Sequence, residues 1–471
     1  MNRIFIFFYI FIFLNTNICY GKDNKKNKVD LKATSKSLSK YVDKKKDPCN
    51  NFYDFACGNM IKMKKSKNES ETNAFSLFIA DLFDEKYYNG SAVLKKLSMM
   101  YNKCLLLMDE DSLTNCIMTV DDFGLYAYVT FFINHIESKK QFEKHYDFVK
   151  KMIDNIISVF KELIEKKDFL DNKTKKNYLK KIESMKLYKK HHENLKDITL
   201  MEECYKHFKF TSKDNADTMI KNMHKYANSF PKKDKVLRRK CIDHVIGKID
   251  EGLPILLLTT ENAFYDSRKN RYTINPMIFK DPYFDSRFPI SLNYGSLGFV
   301  IGHELIHALD YININIDHEG RFNPNMTSWQ SLKKYKDRGN CFVKQYGYEH
   351  KDIDKLDFEE MFTLKEDIAD NGGIKLAHKA YKKHIEKKKE DKLKIPGFEK
   401  YTGEQLFFIN YARFFCNSYR KNGNIKNSKS KVHNSDFKRI QNTLGNYEPF
   451  AKAFKCKKES KMVINKKCEL W

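Results

Sequence analysis

The sequence predicts a mainly α protein with a small β component, arranged as two lobes. Three observations carry this expectation. Between about residues 70 and 250, apolar side chains recur at helical spacing. After Leu253 the texture changes to short extended runs around a polar turn. Then "GFVIGHELIHALD", Gly298 to Asp310, sets two histidines and a glutamate into an apolar, helix-forming run.

The chain has 471 residues, 41 % apolar and 14 % aromatic, enough for a sizeable core and against global disorder. It opens with one arginine and eleven unbroken apolar positions, Ile4 to Leu14. A bilayer crossing needs ~20 residues of helix, so residues 1–21 read as a cleaved secretory signal, with an uncleaved signal anchor as the alternative. Residues 22–46 form a polar, lysine-rich, flexible lead-in. "DPCNNFYDFACGN" follows, two cysteines eight apart among aromatics, as in a stapled anchor.

In the helical half, "YDFVKKMIDNIISVFKELI" lines up Tyr146, Val149, Ile153, Ile156, Phe160 and Leu163 on one stripe. "DNKTKKNYLKKIESMKL" continues it, capped by Asp171 or Asn172, with Leu179, Ile182 and Met185 or Leu187 inward. Further on, "PILLLTTENAFYDSRKNRYTINP" reads as two extended runs about the turn Asp266 to Asn270. None of these stripes is assigned any chemistry.

Leaving aside Cys19 in the leader, ten of the eleven cysteines remain, an even number suited to disulfides in an oxidising compartment. The absence of a CxxC pair argues against a cysteine zinc ribbon. Sequons stand at Asn68, Asn89, Asn172 and Asn325. The 87 Lys+Arg against 61 Asp+Glu give +26, but the lysines are dispersed and no nucleic-acid motif accompanies them. The charge therefore implies a solvated basic surface, at most a weak attraction to anionic surfaces, and no nucleic-acid partner.

Residues four apart on an α-helix share a face, so His303 and His307 can aim two imidazoles at one cation with Glu304 beside them. A hydrolytic zinc site needs a third protein ligand and an open position for water. The HExxHxxGxxH continuation is excluded by Asp310 and Asn313. "LKEDIADNGG" instead offers Glu366 as third ligand and, one turn on, Asp370. Asp370 and Asp310 would stand behind the two imidazoles and fix their tautomers, and Gly372 and Gly373 would permit close backbone approach.

With these residues in place, the sequence resembles the neprilysin and endothelin-converting-enzyme family of zinc metallopeptidases, over residues 250–471 and the anchor 48–60. "ENAFYDSRKN", "SLNYGSLGFVIGHELIHALD", "EDIADNGG", "LFFINYARFFC", "VHNSDFKR" and the closing "CELW" resemble its blocks in the same order. The resemblance implies a thermolysin-like zinc peptidase lobe at 251–471 and, at 47–250, the anchor with a reduced helical lid. It implies one Zn2+ per chain held by His303, His307 and Glu366, with Glu304 as general base. Asp370 would be a proton donor or an orienting carboxylate, and His433 would stabilise the oxyanion. Asn262 and Ala263 would pair with substrate backbone as an added strand, and Arg439 would hold a substrate carbonyl. Phe299 and Val300, with Phe414 and Phe415, would wall the pocket after the scissile bond. The family pattern pairs Cys49 with Cys456, Cys57 with Cys416 and Cys341 with Cys468. Cys104, Cys116, Cys204 and Cys241 keep three possible connectivities.

Three departures qualify the resemblance. The helical half is short, the segment after the anchor carries lysines where the family grips a substrate carboxylate with arginines, and Lys431 replaces the aspartate two residues before the oxyanion histidine. The expectation is a secreted zinc metalloendopeptidase with peptide or polypeptide substrates, cleaving on the amino side of hydrophobic residues in an open cleft. The alternative is a catalytically weak secreted binding or decoy protein.

Overall fold

The structure, a computed structural model, describes residues 29–67, 74–83, 91–137, 142–189, 193, 195–228, 234–249, 253–388, 393–416 and 432–471. The leader, the sequons Asn68 and Asn89, and Lys431 lie outside the described residues. The protein is mainly helical, with five short strands among the described residues.

Two separate hydrophobic cores divide the chain, and not at residue 250. The first gathers α1 (Leu31–Tyr41), α2 (Phe52–Lys67), α6 (Phe142–Lys166) and α7 (Asn172–Ser184) with residues from Ala263 onward. The second is built by α3 (Ala74–Phe83), α4 (Ala92–Cys104) and α5 (Glu110–Glu137), together with helices Ile198–Lys206, Ala216–His224 and Lys235–Val245. The middle of the expected segment 47–250, α6 and α7, thus shares a core with residues from Ala263 onward. The stripe of α6 is buried as its periodicity implies, and beside it Asn155 Nδ2 donates to Tyr294 Oη and to Ala380 O, both at 2.8 Å. Amphipathic spacing tells that a face is covered and does not tell which partner covers it.

From Leu31 to Tyr41 the lysine-rich lead-in is helical. Asp30 caps α1 by accepting from Ala33 N–H, and Leu38, Tyr41 and Val42 are buried in the first core. The Arg413 guanidinium lies over the Tyr41 ring at 4.5 Å. Lysines on the outer face masked this short apolar stripe. Cys49–Cys456 and Cys57–Cys416, separated by 407 and 359 residues, join the N-terminal helices to the far end of the chain. Cys341–Cys468 holds the C-terminal tail, and the remaining four cysteines pair as Cys104–Cys116 and Cys204–Cys241. In length and composition α5 could cross a bilayer, yet it is the spine of the second core, burying Val120, Tyr126, Ala127 and Val129.

The small sheet stands beside helix Phe299–Ile306. β1 (Lys186–Leu187), β5 (Arg271–Ile274) and β4 (Ala263–Asp266) pair in the order β1-β5-β4, so β4 is an edge. The β4–β5 hairpin registers Ala263 with Ile274 and Asp266 with Arg271, and Asn270 in its turn takes a left-handed φ of 45°. Ile255–Thr259, part of the expected extended texture, is a 3-10 turn instead. β2 (Lys248–Ile249) and β3 (Leu253–Pro254) form a separate two-stranded ribbon.

Candidate active site

The motif helix, Phe299–Ile306, follows a π-helical turn at Tyr294–Gly298 and tightens into a 3-10 turn at His307–Leu309. His307 N–H still donates to His303 O, so the two imidazoles stay one turn apart. The long helix Phe358–Lys388 crosses behind it. A Cβ on Gly302 would stand 2.7 Å from Gly373 O, and one on Gly373 would stand 2.7 Å from His303 N. These two glycines allow the helices to touch through their backbones, which brings Glu366 and Asp370 up to the histidines.

Three side chains converge on one carboxylate oxygen. His303 Nε2 is 3.0 Å and His307 Nε2 3.4 Å from Glu366 Oε2, and the two Nε2 atoms are 3.1 Å apart. His433 Nε2 also approaches this oxygen, at 3.0 Å. Behind the imidazoles, Asp370 Oδ1 meets His303 Nδ1 and Asp310 Oδ2 meets His307 Nδ1, each at 2.9 Å. Asp310 is in turn fixed, its Oδ1 accepting from Ile312 and Asn313 N–H. Occupied Nδ1 atoms leave each Nε2 facing inward, and two imidazoles with one carboxylate are the donor set of a hydrolytic zinc site, so the residues fit the metal. Glu304 can also bring its carboxylate within 4.8 Å of the two histidine donors.

Burial opposes charge throughout the cluster, and the partners decide each outcome. It pushes Glu304 above the usual carboxylate range. It would lower His303 and His307, but hydrogen bonds and charges from Asp370, Glu366 and Asp310 outweigh it and raise both. Burial would raise Asp370, yet the Arg439 guanidinium brings it down to about 2. That pair is bidentate: Nε to Oδ2 and Nη2 to Oδ1, both 2.7 Å. Arg439 lines the cleft while two of its five N–H groups are given to Asp370.

The cleft in front has a volume of about 320 Å³. Asn262, Ala263, Phe299, Val300 and Phe414 line it, as do Glu304, His433 and Arg439. Phe415 does not: it is buried, with Phe299 5.8 Å away on one side and the Arg439 guanidinium 4.8 Å from its ring. Successive residues at a helix end diverge by about 100°, so only one of the two phenylalanines can face the cleft. Asn262 turns its own Oδ1 to Ala263 N–H at 2.9 Å. Phe264, Tyr265, Asn313 and Lys365 also line the cleft and were not singled out by the sequence. Lys365 was legible as the neighbour of Glu366; its Nζ sits 3.6 Å from Glu366 Oε1. Lys181, fully buried with Nζ on Ala308 O and Asn313 O, was hidden among the lysines of α7.

Residues 262–470 match the model of peptidase family M13. This part of the chain belongs to peptidase family M13. Human neprilysin is 32 % identical over 329 residues, 69 % of this chain and 42 % of its own. Neprilysin-1 of Caenorhabditis elegans is 30 % identical over 323 residues, 68 % of this chain and 41 % of its own. The chain thus spans about two fifths of the length of the curated relatives it matches. Among solved structures, the Mycobacterium tuberculosis zinc metalloprotease Zmp1 in complex with inhibitor superposes with a TM-score of 0.56 at 19 % identity, covering 77 % of this chain and 51 % of that one. A Haemonchus galactose-containing glycoprotein complex gives 0.55 at 23 % identity, covering 77 % and 56 %. At such identity these two establish the fold alone. The M13 match begins at Asn262, beside the edge strand, and takes in the motif helix, the long helix and the His433–Arg439 segment.

Proposed function

We propose that the chain is a zinc-dependent endopeptidase. The single observation that carries this is the meeting of His303, His307 and Glu366 at one point, with Glu304 beside it on an open cleft. His303, His307 and Glu366 would hold the metal, one Zn2+ per chain. Bound there, zinc would make a water acidic and polarise a scissile carbonyl. Glu304 takes the proton of the attacking water and passes it to the leaving amine; its burial and raised affinity for a proton suit both transfers. Asp370 is held as a carboxylate by Arg439 and faces His303, which favours the orienting role over proton donation. Asp310 orients His307 in the same way. His433, half exposed beside Glu366, supports the developing oxyanion. β4, an edge strand of its sheet among the described residues, offers backbone groups for an extended substrate, with Asn262 and Ala263 at its start. Phe299, Val300 and Phe414 give the cleft an apolar wall, consistent with cleavage on the amino side of hydrophobic residues.

Five disulfides suit an extracellular or other oxidising compartment, and with the leader they support a secreted, glycosylated protein, a membrane tether through an uncleaved leader being the alternative. Substrates are peptides or polypeptides. A second reading has one specific observation behind it. His433 Nε2 approaches the shared Glu366 oxygen as closely as His303 does, and a fourth protein ligand would close the site and leave a binding or decoy protein. Metal content and peptide hydrolysis of the purified protein beside Glu304→Gln separate the two. Zinc with turnover abolished by the substitution supports the peptidase, and zinc with equal residual hydrolysis in both proteins overturns it.

A further inference from the structure

Asp367 follows the third proposed metal ligand, yet it does not line the cleft; it is completely buried on another face of the long helix. A buried carboxylate is costly unless hydrogen bonds satisfy it. Here Tyr348 Oη donates to Oδ2 at 2.6 Å, and Asn434 Nδ2 reaches Oδ1 at 2.9 Å and Oδ2 at 2.8 Å. Asn434 is the residue after His433. It stands at the entry to helix Asp436–Asn446, whose N-terminus Ser435 caps by accepting from Lys438 N–H at 3.4 Å. One turn into that helix, Arg439 is bonded to Asp370. The segment bearing His433 is thus tied to the long helix at two points, Asp367 and Asp370, both within about one turn beyond Glu366, which His433 meets.

We propose that Asp367, Tyr348 and Asn434 form a latch that positions His433 at the reaction centre. The proposal rests on the peptidase reading for its kinetic consequence. The Arg439–Asp370 pair lies inside the helix and fixes its body, whereas the Asn434 amide holds the residue adjoining His433. His433 itself is half exposed, with its Nε2 3.0 Å from Glu366 Oε2. A misplacement of about 1 Å in a catalytic group can cost on the order of a hundredfold in rate. The latch residues touch neither substrate nor metal; they act through His433.

The test compares zinc-loaded wild type, Asn434→Ala and the exchanged pair Asp367→Asn/Asn434→Asp, which reverses donor and acceptor across the same contact. Hydrogen exchange of the backbone at 432–435 is measured beside kcat, KM and zinc content. Asn434→Ala is expected to speed exchange in that segment and lower kcat by roughly ten- to a hundredfold. Its KM and zinc content should stay within about twofold, because Asn434 contacts neither substrate nor metal. The exchanged pair should recover most of kcat, which a general loss of stability would not allow. Unchanged exchange in Asn434→Ala, or faster exchange with kcat intact, overturns the proposal. If wild-type protein binds zinc and hydrolyses nothing, the peptidase reading falls, while the exchange measurement still decides whether the latch holds the His433 segment.

Discussion

At the scale of single residues, the site is a set of paired charges whose roles separate under substitution. Glu304→Gln leaves His303, His307 and Glu366 in place, so zinc content should persist while kcat falls by at least about a hundredfold. Glu366→Ala should instead lose most of the metal, since it removes one of the three proposed ligands and leaves only His303 and His307 of that set. Metal analysis after gel filtration and a fluorogenic peptide assay read both outcomes. Lys181 gives a pH signature away from the metal ligands. Burial brings its ammonium down to about 7, whereas the unfolded chain protonates it near 10.4. Between those values the unfolded state binds more protons, so stability contributed by this site rises as pH goes up through that window, by at most about 1.4 kcal/mol per pH unit. Urea unfolding at pH 7 and pH 9 should show that rise in wild type and a smaller one in Lys181→Met; identical slopes would refute it.

At the scale of elements, the site depends on how two helices cross. Gly373→Ala places a methyl 2.7 Å from His303 N, against backbone that cannot swing aside as a flexible side chain would. The helices must separate, and a core overpacked in this way loses about 1–3 kcal/mol. Thermal unfolding should show that loss, and zinc affinity should fall with it because His303 and Glu366 sit on opposite partners of the crossing. Unaltered affinity at wild-type stability would mean that the crossing has slack the geometry does not reveal. A second dependence runs through α7, whose cap Asp171 accepts from Thr174 N–H at 2.8 Å and from Ser331 Oγ at 2.9 Å and is bonded to Ser328. One carboxylate thus starts α7 and ties it to the cap of helix Trp329–Gln345. The hydrophobic periodicity of α6 and α7 was legible, and Tyr146, Val149, Ile153, Ile156 and Phe160 are buried as it implies. Their membership of the first core was not, because the same stripe could have covered either core.

For the whole molecule, the second core is small, and Cys49–Cys456 and Cys57–Cys416 carry much of the connection between chain ends. On the proposed reading of an open cleft with binding carried chiefly by backbone pairing along β4, substrate length should matter little. The expected outcome is a kcat/KM that agrees within about threefold when one cleavage sequence is placed in a ten-residue peptide, its amidated form and a disordered hundred-residue protein. A steep loss with amidation would reveal a grip on the substrate carboxylate, and a steep loss with length would reveal a closed chamber.

What the sequence determined by itself was local and chemical. The spacing of His303 and His307 follows from helix periodicity, and the turn Asp266 to Asn270 from its residues. Tertiary structure decided everything set by contacts distant along the chain. It seated His433 against Glu366, gave Arg439 to Asp370, turned Phe415 away from the cleft, and paired Cys104 with Cys116. It also folded the lysine-rich Leu31–Tyr41 into the first hydrophobic core. The physical reason is that periodicity constrains which side of an element is buried, whereas the partner on that side depends on packing among elements hundreds of residues apart.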